Sequence, residues 1–374
     1  MAPTEILAEQ HYKKLSHLLA PFDISLAWLS GSLKKKDKQS AIEEIANGTA
    51  RFVIGTHALF QEGVAFANLG LAIIDEQHRF GVEQRLALRM KGKALSSDMN
   101  VEPHQLMMSA TPIPRTLSMS YYADLDVSII DELPPGRTPV ITKLIDDNRR
   151  EEIIARVRDA CLSGTQAYWV CPLIEESEAL QLQTAIDTFE TIQTTFNDLK
   201  VGLVHGRMKS SEKAEVMARF IANDIHLLVA TTVIEVGVDV PNASMMVIEH
   251  AERMGLSQLH QLRGRVGRGN KSSMCVLMYQ TPLSEMARAR LKIIYESTNG
   301  FEIARADLQL RGPGEFLGSK QSGIPMLKFA DINTDVKLLE EARDVAGWFI
   351  EQYPEAARAH VERWLGNKEE FLKV

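Results

Sequence analysis

The chain has 374 residues, 45% hydrophobic and 24% charged, with a formal net charge of −7. These values exclude a disordered, a collagen-like or a small disulfide-scaffold chain and suit a packed protein of two or three domains. The acidic balance argues against a passive, non-specific nucleic-acid coat, but leaves room for a local basic groove.

At the N-terminus, Met1–Glu5 has no basic stretch ahead of an apolar core, so no signal peptide is expected. No apolar run approaches the roughly 20 residues that cross a bilayer. Helical patterns are expected over Thr4–Ala20, Asp37–Asn47, Glu151–Leu162, Ser177–Phe196 and Ser211–Ile221. Between them lie candidate strands at Arg51–Gly55, Leu69–Ile74, Gln105–Ser109, Gln166–Pro172, Val201–Val204, Leu227–Ala230, Met245–Glu249 and Met274–Tyr279. Most are continuously apolar, as parallel strands buried on both faces are. The alternation implies open, doubly wound α/β layers. The basic run Lys34-Lys35-Lys36-Asp37-Lys38 is either a solvated loop leading into a helix or a phosphate-contacting patch.

A break is expected at residues 131–139, where three prolines and a glycine in nine residues cannot continue a helix or a central strand. Thr281-Pro282 fits an N-cap with proline at the first helical position, opening a helix to about Ser297. Beyond Tyr279 the strand pattern stops and the rest is helical, interrupted by glycines around Arg311–Glu315 and Gly318–Gly323. Cys161, Cys171 and Cys275 are odd in number and lack CxxC spacing, so they read as reduced core thiols of a cytoplasmic protein.

Four segments carry chemistry. In Leu71–His78 an apolar strand ends in the acids Asp75 and Glu76. Ligands of open parallel sheets gather at strand carboxyl ends. An acid there can hold Mg²⁺ against nucleotide phosphates, and its neighbour can orient or deprotonate a water. The bland alternative is a pair of helix N-terminal acids favoured by the macrodipole. Ser109-Ala110-Thr111-Pro112 offers small hydroxyls at another strand end, as a hydroxyl-rich turn also would. Thr231–Pro241 follows a strand. Its threonines can donate to phosphates and Asp239 can accept from a ribose hydroxyl, or the segment is a buried bulge. In Gln258–Gly269, Arg265 and Arg268 are three apart and share a face if helical. Interleaved glycines permit close backbone approach, and arginine offers a donor fork matched to phosphate. A solvated basic face is the alternative.

Together these segments resemble a superfamily 2 nucleic-acid helicase core. Pro3–Gln10 is similar to motif Ia, Gly55–His57 to motif Ib, Asp75–His78 to motif II in its DEQH form and Ser109–Thr111 to motif III. Tyr168–Ser177 lies near motif IV, Thr231–Pro241 resembles motif V and Gln258–Arg268 motif VI. The stretches DEQHRFGVEQR, ATPIPRTL, ELPPGRTP, YWVCPLIEES and VHGRM resemble the RecG family of bacterial ATP-dependent DNA helicases. Gly300–Gly323 resembles the translocation motif which that family shares with the transcription–repair coupling translocase.

The resemblance implies two RecA-like parallel-sheet lobes, the first incomplete, and a helical C-terminal extension. Residues 1–133 and 134–282 would form the lobes, and 283–374 the extension. It implies ATP and Mg²⁺ as cofactors, and branched DNA (forks, Holliday junctions) as partner of a cytoplasmic, bacterial, membrane-free, monomeric protein. Branch migration and fork reversal in recombination and repair are the implied function. Asp75 would coordinate Mg²⁺, Glu76 polarise water, and Gln77 and His78 sense the nucleotide. Arg265 and Arg268 would act as arginine fingers facing the acids across a cleft, with Gln261 nearby. Gly237 and Asp239 would border the nucleotide. Thr4, Gly55, Thr56, Ser109, Thr111, Thr231, Thr232 and Arg311 would contact nucleic acid or couple it to hydrolysis. The sequence contains no G-x-x-x-x-G-K-[ST]. That loop supplies amides and a lysine for phosphates, so the chain is expected to be the C-terminal part of a longer helicase. It should hydrolyse ATP poorly, with a first sheet left open and a non-catalytic DNA-binding role as the alternative.

Overall fold

The computed structural model describes residues 1–81, 84, 87–88, 90–91, 103–110, 126–132, 137–171, 178–231, 240–269, 272–311 and 336–365. The chain divides into two compact units, Met1–Ser128 with Leu308–Val374, and Ile129–Asp307.

In the first unit, helix α1 (Glu5–Leu19) is followed by β1 (Leu26–Leu29), α2 (Lys35–Ala46), β2 (Phe52–Gly55), β3 (Leu71–Ile74) and β4 (His104–Met107). Extended Thr4 precedes α1, and Glu5 in its first turn suits the positive end of the macrodipole. Strands β1 and β2 pair in parallel, as do β3 and β4, giving two separate two-stranded ladders. Met1 and Ala2 join them. The Ala2 amide donates to the Gly55 carbonyl at 3.0 Å and the Asp75 amide to the Met1 carbonyl at 3.0 Å. A core of Ala27, Leu29, Ala41, Ile45, Leu59, Val64 and Phe66 fills the space between β1, α2 and the segment after β2. Lys34–Lys36 lie exposed at the start of α2, as a solvated basic run does.

The second unit runs β5 (Ile141–Asp146), α3 (Arg150–Leu162), β6 (Gln166–Val170), α4 (Glu178–Thr195), β7 (Val201–Val204), α5 (Ser210–Ile221), β8 (Leu227–Ala230), β9 (Ala243–Ile248), α6 (Leu256–Arg263), β10 (Met274–Tyr279), α7 (Glu285–Glu296) and α8 (Gly300–Arg311). Helix α8 carries the chain out of this unit. All six strands are parallel, in the order β5-β10-β9-β6-β8-β7. Every residue of β6, β8 and β9 is buried. That is why their sequences are mostly apolar. Trp169, Val229 and Val247 sit in one core with Ile154, Val157, Ala185 and Ile192 of the covering helices and Phe196 just after α4. Fully burying each such side chain is worth about 1.5–3 kcal/mol. Gln166 is the polar exception in β6. Its amide donates to the carbonyls of Phe220 and Ile225, both at 2.7 Å, and so closes the turn before β8.

Three expectations need correction. Strands β1 and β5 fall outside the expected set. Thr142 and Lys143 break the apolar run of the edge strand β5. Helix α7 begins at Glu285, not after Thr281-Pro282, because the Ser284 hydroxyl is the cap, accepting from the Ala287 amide at 3.2 Å. The helix carrying the Gln258–Gly269 segment ends at Arg263, so Arg265 and Arg268 are not on one helical face. Beyond β10 the described residues form no further strand, and α9 (Val336–Gln352) is followed after Tyr353 by α10 (Pro354–Leu365). No helix among the described residues is long and apolar enough to cross a membrane.

Candidate active site

Strand β3 delivers Asp75 and Glu76 at its carboxyl end. Glu76 has φ 50° and ψ 54°, a left-handed conformation that costs a non-glycine residue roughly 1–3 kcal/mol. It turns the chain into a short 3-10 segment, Gln77–Arg79. The turn is tied to the end of β4. The Gln77 amide donates to the Met108 carbonyl at 2.9 Å, and the Ala110 amide to Glu76 Oε2 at 3.4 Å. Ser109 therefore lies beside the acid pair. Thr111 lies outside the described residues, as does the side chain of His78.

Asp75 is held from two sides. Its Oδ1 accepts from the Glu76 amide at 2.9 Å, and its Oδ2 pairs with His11 Nε2 of α1 at 2.9 Å. The hydrogen bond from His11 is the main reason its carboxyl sits below the ordinary carboxylate range. An ionised, oriented oxygen at a strand tip is a suitable ligand for a hard cation. Among the described residues no cluster of three ligating side chains occurs. Mg²⁺ is a cation of that kind, held by one or two carboxylates with water and phosphate completing its shell.

The neighbouring motif residues have structural reasons to be what they are. Gly55 ends β2 where a Cβ would fall 2.0 Å from the Leu29 carbonyl oxygen, so no larger residue fits. Thr56 is 1% exposed and its hydroxyl has no partner among the described residues. It presents nothing to a surface ligand without movement. Thr4 sits at the start of α1 without using its side chain as a cap.

In the second unit Thr231 stands at the end of β8, buried, its amide donating to the Val204 carbonyl at 3.2 Å. Thr232, Gly237 and Asp239 lie outside the described residues. Helix α6 carries half-buried Gln261. After it comes a turn containing Arg265, 7% exposed, and half-buried Arg268, whose Nε donates to the Gly264 carbonyl at 3.4 Å. Gly267 takes φ 78°, the left-handed region that favours glycine. Arg311 ends α8.

Sequence reading missed the partnerships of four polar residues. His11 directly follows the Pro3–Gln10 segment, and only folding brings it to Asp75. Arg263 is 4% exposed and donates to the carbonyls of Ile294 at 2.7 Å and Ser297 at 2.9 Å, tying α6 to the end of α7. His260 accepts from Arg263 at 3.1 Å; burial, and then that guanidinium, lower its pKa to about 4, so it is neutral. Asp307 of α8, 2% exposed, accepts from the Ser257 hydroxyl of α6 at 2.9 Å.

Two parallel α/β units, acids at a strand tip in one and an arginine–glycine turn in the other, define a superfamily 2 helicase core. In agreement, the DEAD/DEAH box helicase family model matches residues 1–120 and the helicase conserved C-terminal domain model residues 140–270. The model for ATP-dependent DNA helicase RecG, domain 3, C-terminal, matches residues 297–369. The chain is 56% identical over 372 residues to ATP-dependent DNA helicase RecG of Escherichia coli O157:H7 and 55% identical over 370 residues to that of Haemophilus influenzae. Each alignment covers 99% of this chain and 53% of the relative. A solved structure of RecG bound to a three-way DNA junction is 44% identical, with TM-score 0.67, covering 91% of this chain and 43% of that one. The chain is thus strongly homologous to bacterial RecG along its whole length and spans about half the length of the curated relatives it matches.

Proposed function

We propose that this chain contributes the motor of an ATP-dependent DNA helicase acting on branched DNA, in branch migration and fork reversal during recombination and repair. Its 56% identity, across 99% of this chain, to a relative named ATP-dependent DNA helicase RecG supports the reading, as does its likeness to a RecG structure bound to a three-way DNA junction. The single structural observation that carries it is the ionised Asp75, held by His11 beside a backbone-strained Glu76 at the tip of β3.

In this reading Asp75 holds Mg²⁺, which supplies charge neutralisation at the nucleotide phosphates. Glu76 orients a water and takes its proton. Gln77 and His78 respond to the nucleotide, and Ser109 and Thr111 pass that response on. Arg265 and Arg268 neutralise phosphate charge from the second lobe, with Gln261 beside them. Gly237 and Asp239 border the nucleotide. Thr4, Gly55, Thr56, Thr231, Thr232 and Arg311 couple it to DNA. The lobes are assigned to residues 1–133 and 134–282 and the extension to 283–374. The protein works as a cytoplasmic monomer.

A second reading has a specific observation behind it. Without G-x-x-x-x-G-K-[ST] in the sequence, nucleotide grip is weak, and this chain by itself is a DNA-binding module with little turnover. ATP hydrolysis measured with branched DNA, single-stranded DNA and RNA separates the two. Stimulation by branched DNA supports the motor. Salt-sensitive binding without turnover supports the module. Stimulation by RNA alone overturns both.

A further inference from the structure

Arg137 lies in the proline-rich stretch that precedes β5, far in sequence from the turn after α6. Folding brings them together. Arg137 Nε donates to the Gly267 carbonyl at 2.9 Å and its Nη2 to the Gly264 carbonyl at 3.2 Å. These two carbonyls bracket Arg265 and stand at the base of Arg268. The same stretch supports the turn sterically, because a Cβ on Gly267 would lie 2.9 Å from Val140 Cγ2. Just beyond, the Ile141 amide donates to the Ser273 carbonyl at 2.9 Å. On the other side, a Cβ on Gly269 would lie 2.5 Å from the Pro241 carbonyl oxygen. The turn is thus clamped at both ends.

We propose that Arg137 is a positioning residue that fixes the Gly264–Gly267 backbone, so that Arg265 and Arg268 can engage phosphate while the turn beneath them stays in place. A guanidinium is suited to this because its donors form a rigid fork that reaches two carbonyls at once. Arg268 and Arg137 share the Gly264 carbonyl, at 3.4 and 3.2 Å. Two cations on one acceptor repel. The two-point fork of Arg137 keeps that carbonyl held when Arg268 turns to an anion. The left-handed φ of 78° at Gly267 directs its carbonyl toward Arg137. This inference rests on the reading of Arg265 and Arg268 as phosphate ligands, and it adds that the stretch before β5 acts directly on them.

The test compares the chain with Arg137→Ala, Arg137→Lys and Arg268→Ala. Amide hydrogen exchange is read at residues 264–269 and in β6 and β8, and ATP turnover is read against ATP concentration with branched DNA. In Arg137→Ala, exchange at residues 265–268 should quicken at least about tenfold with the sheet unchanged. Its kcat should fall at least about tenfold while KM stays within about twofold, and lysine should restore part of both. Unchanged exchange in Arg137→Ala, or equal loosening of the sheet, overturns the proposal. Where turnover is too low to read, exchange alone decides. If Arg268→Ala keeps full turnover while Arg137→Ala still loosens the turn, the clamp stands and the finger assignment fails.

Discussion

Arg263, Arg265 and Arg268 occupy one short segment, yet their surroundings differ. Arg263 is a buried cation satisfied by carbonyls of Ile294 and Ser297. Removing it strands those acceptors, so Arg263→Ala should cost about 3 kcal/mol of stability, read as a fall in urea midpoint. Arg268 is half-buried, and its Nε meets the Gly264 carbonyl at 3.4 Å. Arg268→Ala should leave that midpoint unchanged and lower any DNA-stimulated ATP turnover about 10³-fold. The reverse pattern would exchange their roles. His260 adds a pH dependence. Its pKa of about 4 in the folded state lies below the ordinary 6.5, so the unfolded chain binds its proton more readily. The stability it contributes is complete above pH 6.5 and is lost as pH falls toward 4, by up to about 3 kcal/mol. His250 is shifted upward by its hydrogen bond with Glu252, so its contribution runs the opposite way, present below pH 6.5 and lost above it. Comparing urea unfolding at pH 7 and pH 5 for the chain and for His260→Gln isolates the first effect. A pH slope unaltered by the substitution would refute it.

At the scale of elements, the two units repeat one device. Strand β3 ends in Asp75 and left-handed Glu76 before a 3-10 turn, and β9 ends in Glu249 and left-handed His250 before another. The acids differ in partners. Asp75 meets His11, whereas Glu249 is 6% exposed and bonded to Arg150 at 2.9 Å, which caps the ring of Trp169. Only the first is placed to serve a ligand. The strand-end acids of the first unit were legible because the apolar run and the acids are contiguous. The repeat was not, because it lies in backbone angles that DEQH and EHAE do not spell out. Gly55 offers the sharpest test of element packing. Gly55→Ala places a carbon 2.0 Å from the Leu29 oxygen. It should destabilise the β1–β2 ladder by about 3 kcal/mol, visible in the fluorescence of Trp28 on β1 during urea unfolding. A change within about 0.5 kcal/mol would mean the ladder shifts freely.

For the whole molecule, two units with separate cores should unfold in two transitions. Arg263→Ala should then move only the transition of the unit with the six-stranded sheet, and Gly55→Ala only the other. One shared transition displaced equally by both substitutions would show a single cooperative unit. Taken by itself, the sequence determined the α/β class, the strand-end acids, the arginine–glycine segment and the kinship with helicases, because each is written in contiguous residues with a fixed period or spacing. Only the tertiary structure decided that His11 orients Asp75, that Arg263 is structural and that Arg137 grips the turn from Gly264 to Gly267. Hydrogen bonds between side chains and carbonyls far apart in the chain leave no local pattern; they exist once packing has made the distance short.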